Sequence, residues 1–403
     1  MTAGPLSPGA LSCAEHCPHG SVSISRRAAT RAVPAHALSS CYDPPQVLRP
    51  VFHAWERHLA STSKDRVVRP FEWGLDWIAE NGHDPGSDGS VSSAAAETLT
   101  DWVSRVMADT DAFFTPPPCH DYQLERSPDA TDFLVFPSAL KTPHSENDTV
   151  YCGIFPATRT RTGGRRAAVL VLPQWNAGPD GHVGLCRLLA WNGLTAVRMS
   201  LPYHDRRMPP ELTRADYIVS SNVARTVQVC RQAVLDARRA IAWLDAQGYE
   251  RIGILGTSLG SCLALLTTAH EPLIRAEALN HISPHFADVV WRGISTRHVR
   301  QGLDGHIELD LLRALWRPIS PRVYLERIRD RKTLLVYARY DLTFPVDLSE
   351  DLVREFNEQR IPHEVTVLPC GHYTTGKAPF KFVDGWVLTR FLKNNLTDTS
   401  AGR

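Results

Sequence analysis

The stretch Arg251-Ile252-Gly253-Ile254-Leu255-Gly256-Thr257-Ser258-Leu259-Gly260-Ser261-Cys262-Leu263-Ala264-Leu265-Leu266 limits the possible folds more than any other part of the chain. It reads as a short apolar strand, a tight turn and an apolar helix, with Gly256-x-Ser258-x-Gly260 in the turn. A serine at the tip of such a turn takes a strained backbone conformation. Glycines on either side carry no Cβ to strike the adjoining strand and helix. The turn therefore exposes the serine hydroxyl and aims the Leu259 amide at the same space. The five-residue pattern by itself is common; the strand before it and the helix after it give it weight.

The same alternation runs through residues 119–397. Strands are predicted over 132–137, 149–155, 167–172, 194–201, 251–255, 276–282, 333–338 and 365–368. The run 167–172 is apolar throughout, as a strand buried on both faces requires. Helices are predicted over 182–192, 348–359 and 382–392. Another begins at Val223, where Val227, Cys230, Val234, Ala237, Ile241 and Leu244 continue an apolar stripe. Strand–helix alternation of this kind builds an α/β fold: a mostly parallel central sheet with helices on both faces and right-handed crossovers. Residues 283–330 carry helical sequence with no strand signal, a lid-like insertion before the strand 333–338.

Residues 43–118 carry helical patches at 46–59 and 92–108 and an aromatic cluster at 71–79, which together form a helical extension packing on the core. Pro116-Pro117-Pro118 ends it, since proline is not tolerated inside a helix. Residues 1–42, rich in Ala, Ser, Arg and Pro, read as a disordered tail. Arg26-Arg27 is followed by no apolar segment, so no export signal is expected.

Composition narrows the class of partner. The net charge of +1 offers no electrostatic case for nucleic acid. No apolar run is long enough for a transmembrane helix. Nine scattered cysteines read as reduced thiols of a cytoplasmic protein, with Cys262 buried on its apolar helix. Cys13, His16, Cys17 and His19 lack a second ligand pair at a zinc spacing, so neither a metal nor another cofactor is expected.

In a parallel sheet, reactive groups collect at the carboxyl ends of the strands. Past the strand 333–338 comes Arg339-Tyr340-Asp341, and past 365–368 comes Pro369-Cys370-Gly371-His372. Ser258, Asp341 and His372 thus appear in the order Ser…Asp…His, each just beyond a strand. Asp330 sits at the wrong end of its strand. The roles follow: Ser258 Oγ attacks, His372 moves the proton, and Asp341 holds the imidazole. An oxyanion needs two N–H donors. Leu259 supplies one, and the loop after 167–172 supplies the other, the Trp175 amide by position with Gln174 as the alternative. Tyr203-His204-Asp205 also follows a strand end and reads as a structural loop network. His281, His285, Trp291 and Trp316 read as lid residues or as the insertion's own small core.

On these residues, from about 120 to 395, the chain resembles the α/β-hydrolase superfamily, with a core similar to bacterial carboxylesterases and dienelactone-hydrolase-like proteins. The segment Leu201-Pro202-Tyr203-His204-Asp205-Arg206-Arg207-Met208-Pro209 resembles those of a poorly characterised bacterial hydrolase group. The usual His-Gly ahead of the second donor is replaced by Pro173-Gln174. The resemblance implies a serine hydrolase acting on a small-molecule carboxylic ester or related acyl bond through an acyl-enzyme, without metal. The same site would serve an acyltransferase or thioesterase. A binding protein that keeps the fold without catalysis is the reading from another class.

Overall fold

The computed structural model describes residues 48–79, 92–126, 131–158 and 165–397. The expected tail, Arg26-Arg27 and the Cys13, His16, Cys17 and His19 group lie outside the described residues. Nine strands form one sheet: β1 (Gln123–Glu125), β2 (Asp132–Pro137), β3 (Thr149–Phe155), β4 (Ala167–Leu172), β5 (Thr195–Met199), β6 (Arg251–Thr257), β7 (Ile274–Asn280), β8 (Lys332–Ala338) and β9 (His363–Leu368). Their order is β1-β2-β3-β5-β4-β6-β7-β8-β9. Neighbours from β5 to β9 pair in parallel, and β1, β2, β3 and β5 pair antiparallel. Strand β1 carries no apolar alternation and all three of its residues are exposed, so it left no periodic signal.

Period-two alternation sends neighbouring residues to opposite faces. Along β4, Ala168, Leu170 and Leu172 join the core beneath α5 (Val223–Ala246) and α6 (Leu259–His270). Ala167, Val169 and Val171 join the core beneath α4 (Val183–Trp191) and α12 (Phe380–Leu396). Every residue of β4 is buried, which accounts for its unbroken apolar sequence. Helix α5 starts where the Asn222 side chain accepts the Arg225 amide (2.9 Å), and its apolar stripe is buried along its length. The remaining helices are α1 (Leu48–Ser61), α2 (Ser92–Ala108), α3 (Thr110–Phe114), α7 (Phe286–Arg292), α8 (Arg297–Leu303), α9 (Leu309–Leu315), α10 (Val346–Glu358) and α11 (His372–Thr375). No helix among the described residues is long and apolar enough to cross a membrane.

Helix α1 forms where the sequence places it, but turned. Val51 and Trp55 point outward at 60% and 38% exposure, while Glu56 is fully buried. Phe52 provides the apolar anchor by stacking on Tyr340. Beyond α1 the chain crosses the loop before α5. Ser221 Oγ donates to the carbonyls of Arg69 and Pro70, and the Val223 amide donates to Glu72 O (2.9 Å). Within residues 283–330, Trp316 is fully buried and donates its indole N–H to Val223 O (3.1 Å), so it is a core residue and not a lid residue.

The loop 202–221 is anchored by a fully buried ion pair, Arg207 with Asp236 of α5 (2.9 Å). Arg207 also donates to the carbonyls of Asn147 and Ser200, and Asp236 accepts from Ser138 Oγ and the Ala139 amide. Removing one partner leaves the other charge buried and uncompensated. Asp236→Ala is expected to lower unfolding free energy by about 3–5 kcal/mol, read from urea denaturation.

Candidate active site

Strand β6 delivers Ser258 at φ 57° and ψ −120°, a left-handed backbone that a non-glycine residue adopts only under constraint. Its amide donates to Asn280 O (2.8 Å), and its carbonyl accepts Ser261 Oγ (2.6 Å). Both flanking glycines are required by space. A Cβ on Gly256 would lie 2.1 Å from Gly260 O, and one on Gly260 would lie 2.2 Å from Leu172 O. Ser258 lines a cavity of about 2000 Å³, together with Leu259, Gln174, Trp175 and His372.

Asp341 follows β8 and is 3% exposed. Its Oδ1 accepts the Thr343 and Phe344 amides, both at 2.7 Å. Its Oδ2 lies 2.9 Å from His372 Nδ1 and 3.1 Å from His281 Nδ1. A carboxylate only accepts, so both imidazoles present Nδ1–H to it, and each keeps Nε2 as the remaining acceptor. The His372 ring stacks on Phe344 (5.4 Å, 2°). Asp341 and His372, named from their strand ends, are therefore in direct contact, and His372 shares the cavity wall with Ser258.

His281 is the residue that sequence reasoning misplaced. It directly follows β7 at φ 57°, with its own amide donating to Val336 O (2.8 Å), and it is no part of a lid. The rule that drew attention to Asp341 and His372, a titratable residue just past a strand, points to it equally. It was hidden because strand β7 was expected to run through residue 282.

The charges divide unevenly around the shared carboxylate. Burial favours a neutral Asp341, but the two imidazoles outweigh it and hold the carboxyl well below the usual range. Burial also works against charge on His372, yet Asp341, with a smaller contribution from Glu56, outweighs it and raises His372 above its ordinary 6.5. His281 is lowered, by burial first and then by His372. A base must be neutral to accept a proton, and a raised pKa keeps His372 protonated to higher pH. If His372 serves as a general base, the acid limb of the pH profile is expected above about 6.5. A limb at or below that value would contradict the arrangement.

The loop after β4 is where the second N–H donor is expected. Asn176, at φ 60°, donates its amide to His204 Nε2 (2.9 Å), and His204 Nδ1 lies 2.9 Å from Pro202 O. Burial pushes His204 down to about 4, so it stays neutral and accepts at Nε2. The Asn176 amide is thus consumed, while the Trp175 amide has no acceptor among the described residues. The Trp175 ring stacks on His298 (5.7 Å, 7°), lies beneath Arg214 (5.3 Å) and donates Nε1–H to Ala215 O (2.8 Å), which fixes the loop. Asp205 pairs with Arg198 (3.1 Å), whose remaining donors hold the carbonyls of Gly178 and Gly181 on the same loop. His204 and Asp205 therefore shape the cavity wall. Among the described residues, His281, Asp341 and His372 also place potential metal-ligand atoms within 4.8 Å of one another; Nδ1 of each imidazole is already hydrogen-bonded to Asp341 Oδ2.

No family model and no curated protein matches the sequence. Solved structures do match. An acylaminoacyl peptidase of Pyrococcus horikoshii superposes with TM-score 0.53 at 14% identity, over 70% of this chain and 43% of that one. Acetyl xylan esterase 1 of a Thermoanaerobacterium species gives 0.52 at 15%, over 74% and 93%. An acetyl xylan esterase of a Paenibacillus species gives 0.52 at 15%, over 88% and 100%. The chain has the α/β-hydrolase fold. It spans less than half of the peptidase and nearly all of each esterase.

Proposed function

We propose that the chain is a serine hydrolase that cleaves a carboxylic ester or related acyl bond of a small molecule. The observation that carries this reading is the Asp341–His372 hydrogen bond on a cavity into which a backbone-strained Ser258 opens. His372 Nε2 takes the Ser258 proton as Oγ attacks the acyl carbon. The Leu259 and Trp175 amides receive the oxyanion, each worth about 3 kcal/mol of barrier. The imidazolium then protonates the leaving group, an acyl-enzyme forms on Ser258, and water attacks it with His372 again as base. We place the enzyme in the cytoplasm; the six cysteines among the described residues are free thiols.

The test is labelling with a fluorophosphonate probe, followed by turnover of p-nitrophenyl esters of increasing acyl length. Wild-type protein is expected to label and to hydrolyse, and Ser258→Ala to do neither. Labelling that survives in Ser258→Ala would remove this serine as nucleophile.

A further inference from the structure

Glu56 lies on helix α1, more than three hundred residues from the base in sequence, and none of it is exposed. Its carboxylate reaches the turn that carries His372. One oxygen accepts the Tyr373 amide (3.0 Å). The other accepts the Thr374 amide and Thr374 Oγ1, both at 2.9 Å. That hydroxyl in turn accepts the Gly371 amide (2.7 Å), so the contact extends over the whole turn around the base.

A second observation comes from Gly371. Its φ of −110° suits any residue, so the backbone does not demand glycine there. Space does: a Cβ would lie 2.4–2.5 Å from Cδ, Cγ and Oε1 of Glu56. The Gly-His dipeptide is thus shaped by a side chain from the other end of the chain. Glu56 makes no ion pair among the described residues. A buried carboxylate without a cation is costly, and here the amides of the base's own turn offset that cost.

We propose that Glu56 is a positioning residue for the base: its carboxylate holds the Gly371–Thr374 turn so that His372 stays between Asp341 and the cavity, and its charge supports the imidazolium formed when Ser258 gives up its proton. The proposal rests on the serine-hydrolase reading above. It makes α1 part of the catalytic apparatus. Among the described residues, the charged and titratable groups facing His372 are Asp341 from the end of β8, His281 from the end of β7, Glu56 from α1 and the adjoining Tyr373; Arg66 lies one residue further out, on the Tyr373 hydroxyl (3.1 Å).

Glu56→Gln in the full chain keeps the shape, removes the charge and sets an amide N–H against backbone N–H groups. With p-nitrophenyl acetate, kcat is expected to fall about 10- to 100-fold with KM within about twofold, as for a small displacement of a catalytic group. The acid limb is expected to move to lower pH, because an anion that favoured the imidazolium is gone. A purely structural role would lower thermal stability and leave that limb in place. Gly371→Ala attacks the same contact from the other side. It is expected to lower kcat at least about tenfold in wild type and to be nearly neutral in a Glu56→Ala background, where the clash is absent. Unchanged kcat and acid limb in Glu56→Gln would overturn the proposal, as would an equal cost of Gly371→Ala in both backgrounds. If folded wild-type protein neither labels nor hydrolyses, the hydrolase reading falls and this proposal with it. If wild type is active, Ser258→Ala is dead and Glu56→Gln is normal, this proposal alone falls.

Discussion

Replacing His372 with alanine is expected to lower kcat on a p-nitrophenyl ester by about a million-fold, the scale seen when the base of a serine triad is removed. The same measurement on His281 discriminates between two imidazoles that share one carboxylate oxygen. His281 lines the same cavity but is 1% exposed, and its Nε2 is buried with no partner among the described residues. Its Nδ1–H helps hold Asp341 (3.1 Å). His281→Asn keeps a donor near Asp341 and is expected to cost no more than about tenfold, the worth of one hydrogen bond. The reverse order of effects would assign the base to His281. Loss of fluorophosphonate labelling in His372→Ala, with labelling retained in His281→Asn, gives the same answer without a substrate.

Asp341→Asn is expected to lower kcat by about 10⁴-fold at neutral pH, with the fold intact by circular dichroism. The reason lies in the count of donors. Asp341 accepts four N–H groups: two backbone amides at Oδ1 and two imidazoles at Oδ2. An asparagine has one acceptor oxygen and presents an NH₂ to the other pair. If the oxygen stays on the amides of Thr343 and Phe344, the NH₂ meets His372 and favours the tautomer with the proton on Nε2, which cannot accept from Ser258. If it turns to the imidazoles, the loop after β8 loses both of its anchors. Either outcome removes the base, so near-normal activity in this variant would sink the assignment of Asp341.

Much of this was legible because it is local. Ser258, Asp341 and His372 each follow a strand of apolar residues, and a strand end is visible in a single pass along the chain. The shared carboxylate was not legible, because it depends on where β7 stops. Ending it two residues earlier moves His281 from inside the predicted strand to the position just past it, where it meets Asp341. Strand β1 escaped because an exposed edge strand needs no apolar alternation. Helix α1 was found by its spacing, but its facing was hidden: the structure turns Val51 and Trp55 outward and buries Glu56. A buried carboxylate is stable only if donors wait for it, and those donors belong to residues 373 and 374.

The sequence by itself determined the layered α/β architecture and the residue types at the strand ends, since both follow from periodicity and turn chemistry within short windows. Tertiary structure alone decided which side chains meet. The elbow glycines are needed because of the carbonyls of Gly260 and Leu172, Gly371 because of Glu56, and the Asn176 amide is withdrawn from the cavity by His204. The Gly256 contact is local to the turn, while those of Gly260 with Leu172, Gly371 with Glu56 and Asn176 with His204 join segments far apart in the chain. A hydrogen bond of about 3 Å depends on the packing that brings its two ends together, and no local pattern encodes that distance.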